Sequence, residues 1–156
     1  MTDDRILGCV LGGALGDALG LPYEGRSRVD LVEWPKQLRV SDDTQLTLAT
    51  CEGIVASQGK IDPAAIASSM ARWFKESRLI GLGASSYKAL SELAVGGHWA
   101  LVGRKGERAA GNGAAMRIAP LAFVLDPKDF DDRIGLRDVC RITHHSEEAY
   151  VGALAV

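Results

Sequence analysis

Asp62-Pro63-Ala64-Ala65-Ile66-Ala67-Ser68-Ser69-Met70-Ala71-Arg72-Trp73-Phe74 is the stretch whose reading decides the fold class. Asp62 is a good N-cap, and Pro63 suits the first helical position, where a backbone N–H would lack a partner anyway. Ile66, Met70, Trp73 and Phe74 then recur at helical spacing and form one apolar face. The same grammar extends in both directions. Upstream, Ser41-Asp42-Asp43-Thr44 opens a helix expected over residues 41–57. Before it, residues 29–40 read as an irregular loop containing Trp34-Pro35, and residues 4–21 as a first helix. The glycines Gly8, Gly12, Gly16 and Gly20 share one side of that helix. Each weakens it by roughly 1 kcal/mol relative to Ala, so the smooth stripe is expected to pack against another helix.

Downstream, a helix over 85–95 stops at Gly96-Gly97. A loop rich in glycine and charge, 98–111, leads through Asn112-Gly113 into a further helix, which Pro120 should kink or break. Residues 129–142 form the next helix. The last begins near Ser146, with Glu147 and Glu148 in its first turn. No region alternates convincingly like a strand, and neither a repeat nor an interdomain linker is visible. The reading is all-α. Tyr150, Val151, Ala153, Leu154 and Val156 end the chain in mid-pattern, which reads as a cut apolar helix.

Composition narrows the function. The 156 residues are 47% hydrophobic and 24% charged, a globular balance. A net charge of −2 with scattered basic residues argues against a nucleic-acid surface. A ligand with one or two phosphates stays open, because backbone N–H groups bind phosphate without net positive charge. Cys9, Cys51 and Cys140 are odd in number, lie far apart and sit among apolar neighbours, so each reads as a buried thiol. The start, Met1-Thr2-Asp3-Asp4, is acidic where a signal peptide is basic. The apolar stretch after it is broken by Asp17 and reads as too short for a bilayer, so a cytoplasmic location is expected.

Four constellations carry chemistry. Ser41-Asp42-Asp43-Thr44 offers hard oxygen ligands for Mg²⁺ or Mn²⁺, although the same residues cap a helix, and on these four alone capping is the stronger reading. Gly111-Asn112-Gly113, before Met116-Arg117, is a glycine-flanked turn that lets a phosphate approach the backbone, or simply a tight turn with an Asn cap. Thr143-His144-His145-Ser146 is a poor zinc pair, since adjacent histidines cannot both face one ion from a regular helix. One imidazole would contact a base or ribose while the other is solvated, or the pair simply opens a helix. Lastly, Asp17 is a charge on an apolar helix, and Glu24 follows that helix between Tyr23 and Gly25. Each carboxylate serves a substrate or a structural ion pair.

The order Gly16-Asp17-Ala18-Leu19-Gly20 with Glu24, then Ser41-Asp42-Asp43-Thr44, then Gly111-Asn112-Gly113 with Met116-Arg117, then Thr143-His144 resembles the motif series of the ADP-ribosylglycohydrolases over nearly the whole chain. The resemblance implies a compact orthogonal multi-helix bundle, with residues 1–156 as the N-terminal part of a single domain. It implies a binuclear Mg²⁺ or Mn²⁺ site with Ser41, Asp42 and Asp43 as ligands, Asp42 and Glu24 serving catalysis, and Asp17 structural. Gly111, Asn112 and Gly113 would line the diphosphate and His144 the adenosine side. The implied activity is hydrolysis of the glycosidic bond between ADP-ribose and its acceptor, an ADP-ribosylated protein or a small ADP-ribose conjugate.

One departure stands out. The family's second metal motif, Asp-x-Asp-Thr, is absent from these 156 residues. Asp129-Phe130-Asp131 is followed by Asp132 and precedes the histidine motif, so it is no substitute. The chain by itself is therefore expected to be inactive or nearly so. The alternative reading is a non-catalytic ADP-ribose-binding or structural relative.

Overall fold

The computed structural model describes residues 2–28 and 34–156. Among these, six α-helices carry the fold: α1 (Thr2–Gly20), α2 (Asp42–Ala56), α3 (Pro63–Lys75), α4 (Ala84–Ala94), α5 (Phe130–Arg141) and α6 (Glu147–Leu154). The only strands there are two residues long, β1 (Arg104–Lys105) and β2 (His144–His145), paired in parallel. The fold is all-α, as the sequence reads. The loop expected over 29–40 is described from Trp34 onward; residues 29–33 lie outside the described residues.

The helix starts follow their caps. The Asp62 carboxylate accepts from the N–H groups of Ala64 and Ala65, Asp129 does the same for Asp131 and Asp132, and the Ser146 hydroxyl accepts from Ala149. α3 lies between α2 and α4 and buries Ile66, Met70 and Trp73 against Leu46, Ala49, Leu90 and Leu93. Each fully buried large side chain contributes roughly 1.5–3 kcal/mol. The Trp73 indole N–H, Ser69 and Arg72 all donate to Glu52 at 2.6–3.1 Å, and Arg78 covers the Trp73 ring. Val139, Cys140 and Ile142 close the other side of the core.

Several expectations are corrected. The glycine stripe of α1 is exposed, and a Cβ built on Gly8, Gly12, Gly16 or Gly20 meets nothing within 4 Å. Close approach occurs instead at Gly53 on α2, where a Cβ would lie 2.5 Å from Ile66 Cα on α3. The helix expected after Asn112-Gly113 is two short 3-10 turns, Ala115–Arg117 and Ala119–Phe123. Pro120 breaks the segment rather than kinking it, because it cannot donate within a continuing α-helix. Of the cysteines only Cys140 is buried; Cys9 and Cys51 are half-buried. The apolar stretch is not too short for a bilayer: the helical residues Asp3–Tyr23 number 21, and an 18-residue window within them has mean hydropathy 1.4. Its Asp17 side chain, however, is bonded to α2.

These packing differences predict opposite outcomes for two identical substitutions. Gly53→Ala should destabilise the chain by about 1–3 kcal/mol through overpacking against the α3 backbone. Gly12→Ala should be neutral or stabilise it by up to about 1 kcal/mol. Chemical denaturation of both variants checks this, and a destabilised Gly12→Ala would mean that the stripe is covered in solution.

Candidate active site

Asp17 reaches from α1 to the first turn of α2 and accepts four hydrogen bonds there. Its Oδ1 takes the Ser41 hydroxyl at 2.7 Å, and its Oδ2 takes Ser41 N–H at 2.8 Å, Thr44 N–H at 3.2 Å and the Thr44 hydroxyl at 2.5 Å. Burial pushes the Asp17 carboxyl up, but these bonds outweigh it and its pKa lies below the ordinary value. Asp17 is thus structural, through hydrogen bonds rather than an ion pair. It caps a helix on which it does not lie. Ser41, fully buried, accepts from Asp43 N–H at 3.3 Å.

With capping performed by Asp17 and Ser41, the side chains of Asp42 and Asp43 are released to a cleft of about 250 Å³. Glu24, Asp42, Asp43, Gly111, Asn112, Gly113, Met116 and His144 line it, together with 81, 83 and 84–86 at the start of α4. Seven of the eight residues singled out from the sequence therefore meet in one place. The eighth, Ser41, sits behind Asp42 and Asp43 and does not line the cleft. A larger open groove of about 690 Å³ between α3 and the end of α4 contains none of these groups.

The acidic wall is electrostatically strained. Asp42 is 6% exposed, and its pKa is pushed up to about 6, first by burial and then by the charges of Asp43 and Glu24. Burial, Asp17 and Glu24 raise Asp43 as well. Among the described residues no Lys or Arg forms an ion pair with Asp42, Asp43 or Glu24. Gly81, at φ +92°, passes so close that its Cβ would lie 3.1 Å from Asp42 Oδ1. Glu24 is exposed and follows the 3-10 turn Leu21–Tyr23. Clustered, unpaired carboxylates suit a hard divalent cation. Still, no group of three or more His, Cys, Asp or Glu is close enough among the described residues to hold an ion alone.

The opposite wall is the Gly111–Gly113 turn against His144. A Cβ on Gly113 would fall 2.5 Å from His144 Cε1 and 3.1 Å from Ser86 Oγ, so this position admits only glycine without displacement. The Thr143 hydroxyl bonds His144 Nδ1 at 2.8 Å. Burial, then the nearby Arg117 charge, lowers the His144 pKa to about 4 and keeps the imidazole neutral. His145 is not solvated as expected: it is half-buried and its Nε2 donates to Val102 O at 2.8 Å. That bond and the β1–β2 pairing, Arg104 with His144 and Lys105 with His145, fix the backbone from which His144 projects.

Sequence reading placed the start of α4 to within one residue but gave it no part in the site. Gly83 is its N-cap and provides no side-chain cap, and Ala84, Ser85 and Ser86 line the cleft. The available signal was Gly81-Leu82-Gly83 immediately before a helix, a spacing that suits anion approach.

The family model for ADP-ribosylglycohydrolase matches residues 1–156, and the chain belongs to that family. It is 32% identical to an uncharacterized protein of Archaeoglobus fulgidus, over 99% of this chain and 54% of the relative. It is 32% identical to the ADP-ribosyl-[dinitrogen reductase] glycohydrolase of Rhodospirillum rubrum, over 91% of this chain and 52% of that enzyme. A solved structure titled as an ADP-ribosylglycohydrolase-related protein complex matches with a TM-score of 0.72 and 32% identity, covering 96% of this chain and 52% of the other. The chain spans about half the length of these relatives.

The raised Asp42 pKa has a stability consequence. In the folded state Asp42 binds a proton near pH 6 that the unfolded chain releases near pH 4. Its contribution is full below about pH 4 and is lost as pH rises through about 6. In EDTA, Asp42→Asn should therefore stabilise the chain by roughly 2 kcal/mol at pH 8 and by little at pH 4. Thermal melts at the two pH values check the sign; equal effects at both would remove the strained-carboxylate reading.

Proposed function

We propose that this chain forms the acidic and diphosphate-facing parts of an active site that hydrolyses the glycosidic bond between ADP-ribose and its acceptor, with a divalent metal as cofactor. The observation that carries this reading is the single cleft in which Glu24, Asp42 and Asp43 face Gly111, Asn112, Gly113 and His144. The acceptor is an ADP-ribosylated protein or a small ADP-ribose conjugate; the named Rhodospirillum rubrum relative acts on a protein of the first kind.

The donor set fits Mg²⁺ or Mn²⁺. Asp42 and Asp43 are adjacent hard-oxygen ligands whose mutual repulsion a cation would relieve. Ser41 completes the ligand set by resemblance, although its hydroxyl is engaged by Asp17 in this structure. Bound metal supplies orientation of ribose hydroxyls and an activated water. The chain's own residues do the rest. The Gly111–Gly113 turn and the start of α4, which has no side-chain cap, present backbone N–H groups to the diphosphate. Neutral His144 accepts or donates one hydrogen bond on the adenosine side without repelling a base. Glu24, exposed at the mouth of the cleft, approaches the scissile bond, where cleavage develops oxocarbenium character.

The test uses the protein that contains this chain, an ADP-ribosylated arginine peptide and Mg²⁺ or Mn²⁺. Asp42→Asn and Asp43→Asn should each lower turnover about 100-fold or more while helix content by circular dichroism stays unchanged. Surviving activity would mean that these carboxylates only serve the helix start. Wild-type protein that binds ADP-ribose yet shows no metal-dependent turnover would establish the non-catalytic alternative instead.

A further inference from the structure

We infer that Arg117 is a positioning residue for an anionic ligand, holding the Gly111–Gly113 turn by the Gly113 carbonyl and placing a buried positive charge behind it. The identity of the ligand as a diphosphate rests on the function proposed above. Arg117 is fully buried. Its guanidinium donates to Gly113 O at 2.6 Å and to Val139 O at 3.0 Å, while its Nε has no partner. No carboxylate pairs with it among the described residues. Burial brings its pKa down only to about 10, so it remains charged near neutral pH. The adjacent Cys140 offers no counter-charge, because burial pushes its thiol up to about 11.

Two carbonyls and an orphan Nε are a poor exchange for water around a guanidinium. As structural glue, an apolar side chain of similar volume would serve as well or better. The charge is explained if an anion completes the site when bound. The cleft is where that anion fits. Gly113, whose carbonyl Arg117 holds, lines it, whereas no Lys or Arg does. The Arg117 charge acts on His144, which lies on the same wall as the turn. Because Arg117 does not line the cleft, it acts through the Gly113 peptide and through its field, without touching the ligand.

The experiment measures Kd for ADP-ribose and for adenosine, which lacks the diphosphate, in the protein containing this chain. Arg117→Met should weaken ADP-ribose binding about tenfold more than adenosine binding. Arg117→Lys, which keeps the charge, should hold that ratio within about threefold of wild type. A residue that merely supports the fold would weaken both ligands equally, so an unchanged ratio in Arg117→Met overturns the inference. If that variant fails to fold, Arg117→Gln is read by the same ratio, since it can keep one carbonyl bond without the charge. Wild-type protein that binds no ADP-ribose would strike down the proposed function and this inference with it.

Discussion

The rest of the site depends on the grip of Asp17 on the first turn of α2. A helix start leaves its first N–H groups without partners, and the usual remedy is a side chain at or near the N-cap. Here the remedy is shared between Ser41 and a carboxylate from another helix. Two consequences follow. α1, with five glycines between Gly8 and Gly20 and only Ala18 buried among its apolar side chains, gains a polar anchor that its packing does not supply. And Asp42 and Asp43, which stand where acidic residues normally serve the helix dipole, face a cleft instead.

That release is unfavourable for the isolated chain. Asp42 and Asp43 repel each other and Glu24 while partly desolvated, a histidine held neutral stands on the opposite wall, and a guanidinium with no carboxylate partner among the described residues is buried behind it. Groups of this kind are better removed than kept if folding is the only criterion. Their concentration around one cleft, while the α2–α3–α4 core is ordinary apolar packing, separates the part of the chain that serves stability from the part that serves chemistry.

The legible parts of the fold were those where independent local signals agree. Asp62-Pro63 and the spacing of Ile66, Met70 and Trp73 point to the same helix, and the structure has it at Pro63–Lys75. Residues 112–124 were legible in part: Pro120 announced a break, but not the 3-10 turns around it, and the bond from the buried Arg117 to Val139 O is a tertiary contact that no local signal carries. The α1 glycines misled for the same reason, since a small-residue stripe records what could approach and not what does. Glycine mattered where no stripe announced it, at Gly53 and Gly113. For the site, Ser41-Asp42-Asp43 offered capping and metal binding as rivals. The structure divides the roles: Ser41 caps, and the two carboxylates do not.

Two helix starts face the same cleft, and the chain treats them in opposite ways. At α2 the N–H groups are satisfied internally, by Asp17 and Ser41, so the first turn presents carboxylates. At α4 the N-cap is Gly83, which offers no side chain, so the first turn presents backbone N–H groups and the Ser85 and Ser86 side chains. Two helix N-termini therefore yield a cation-favouring wall in one case and an anion-favouring wall in the other. The difference is set by what stands at and around the cap. This is why the informative residues of the site, Asp17, Ser41 and Gly83, include two that do not line it at all.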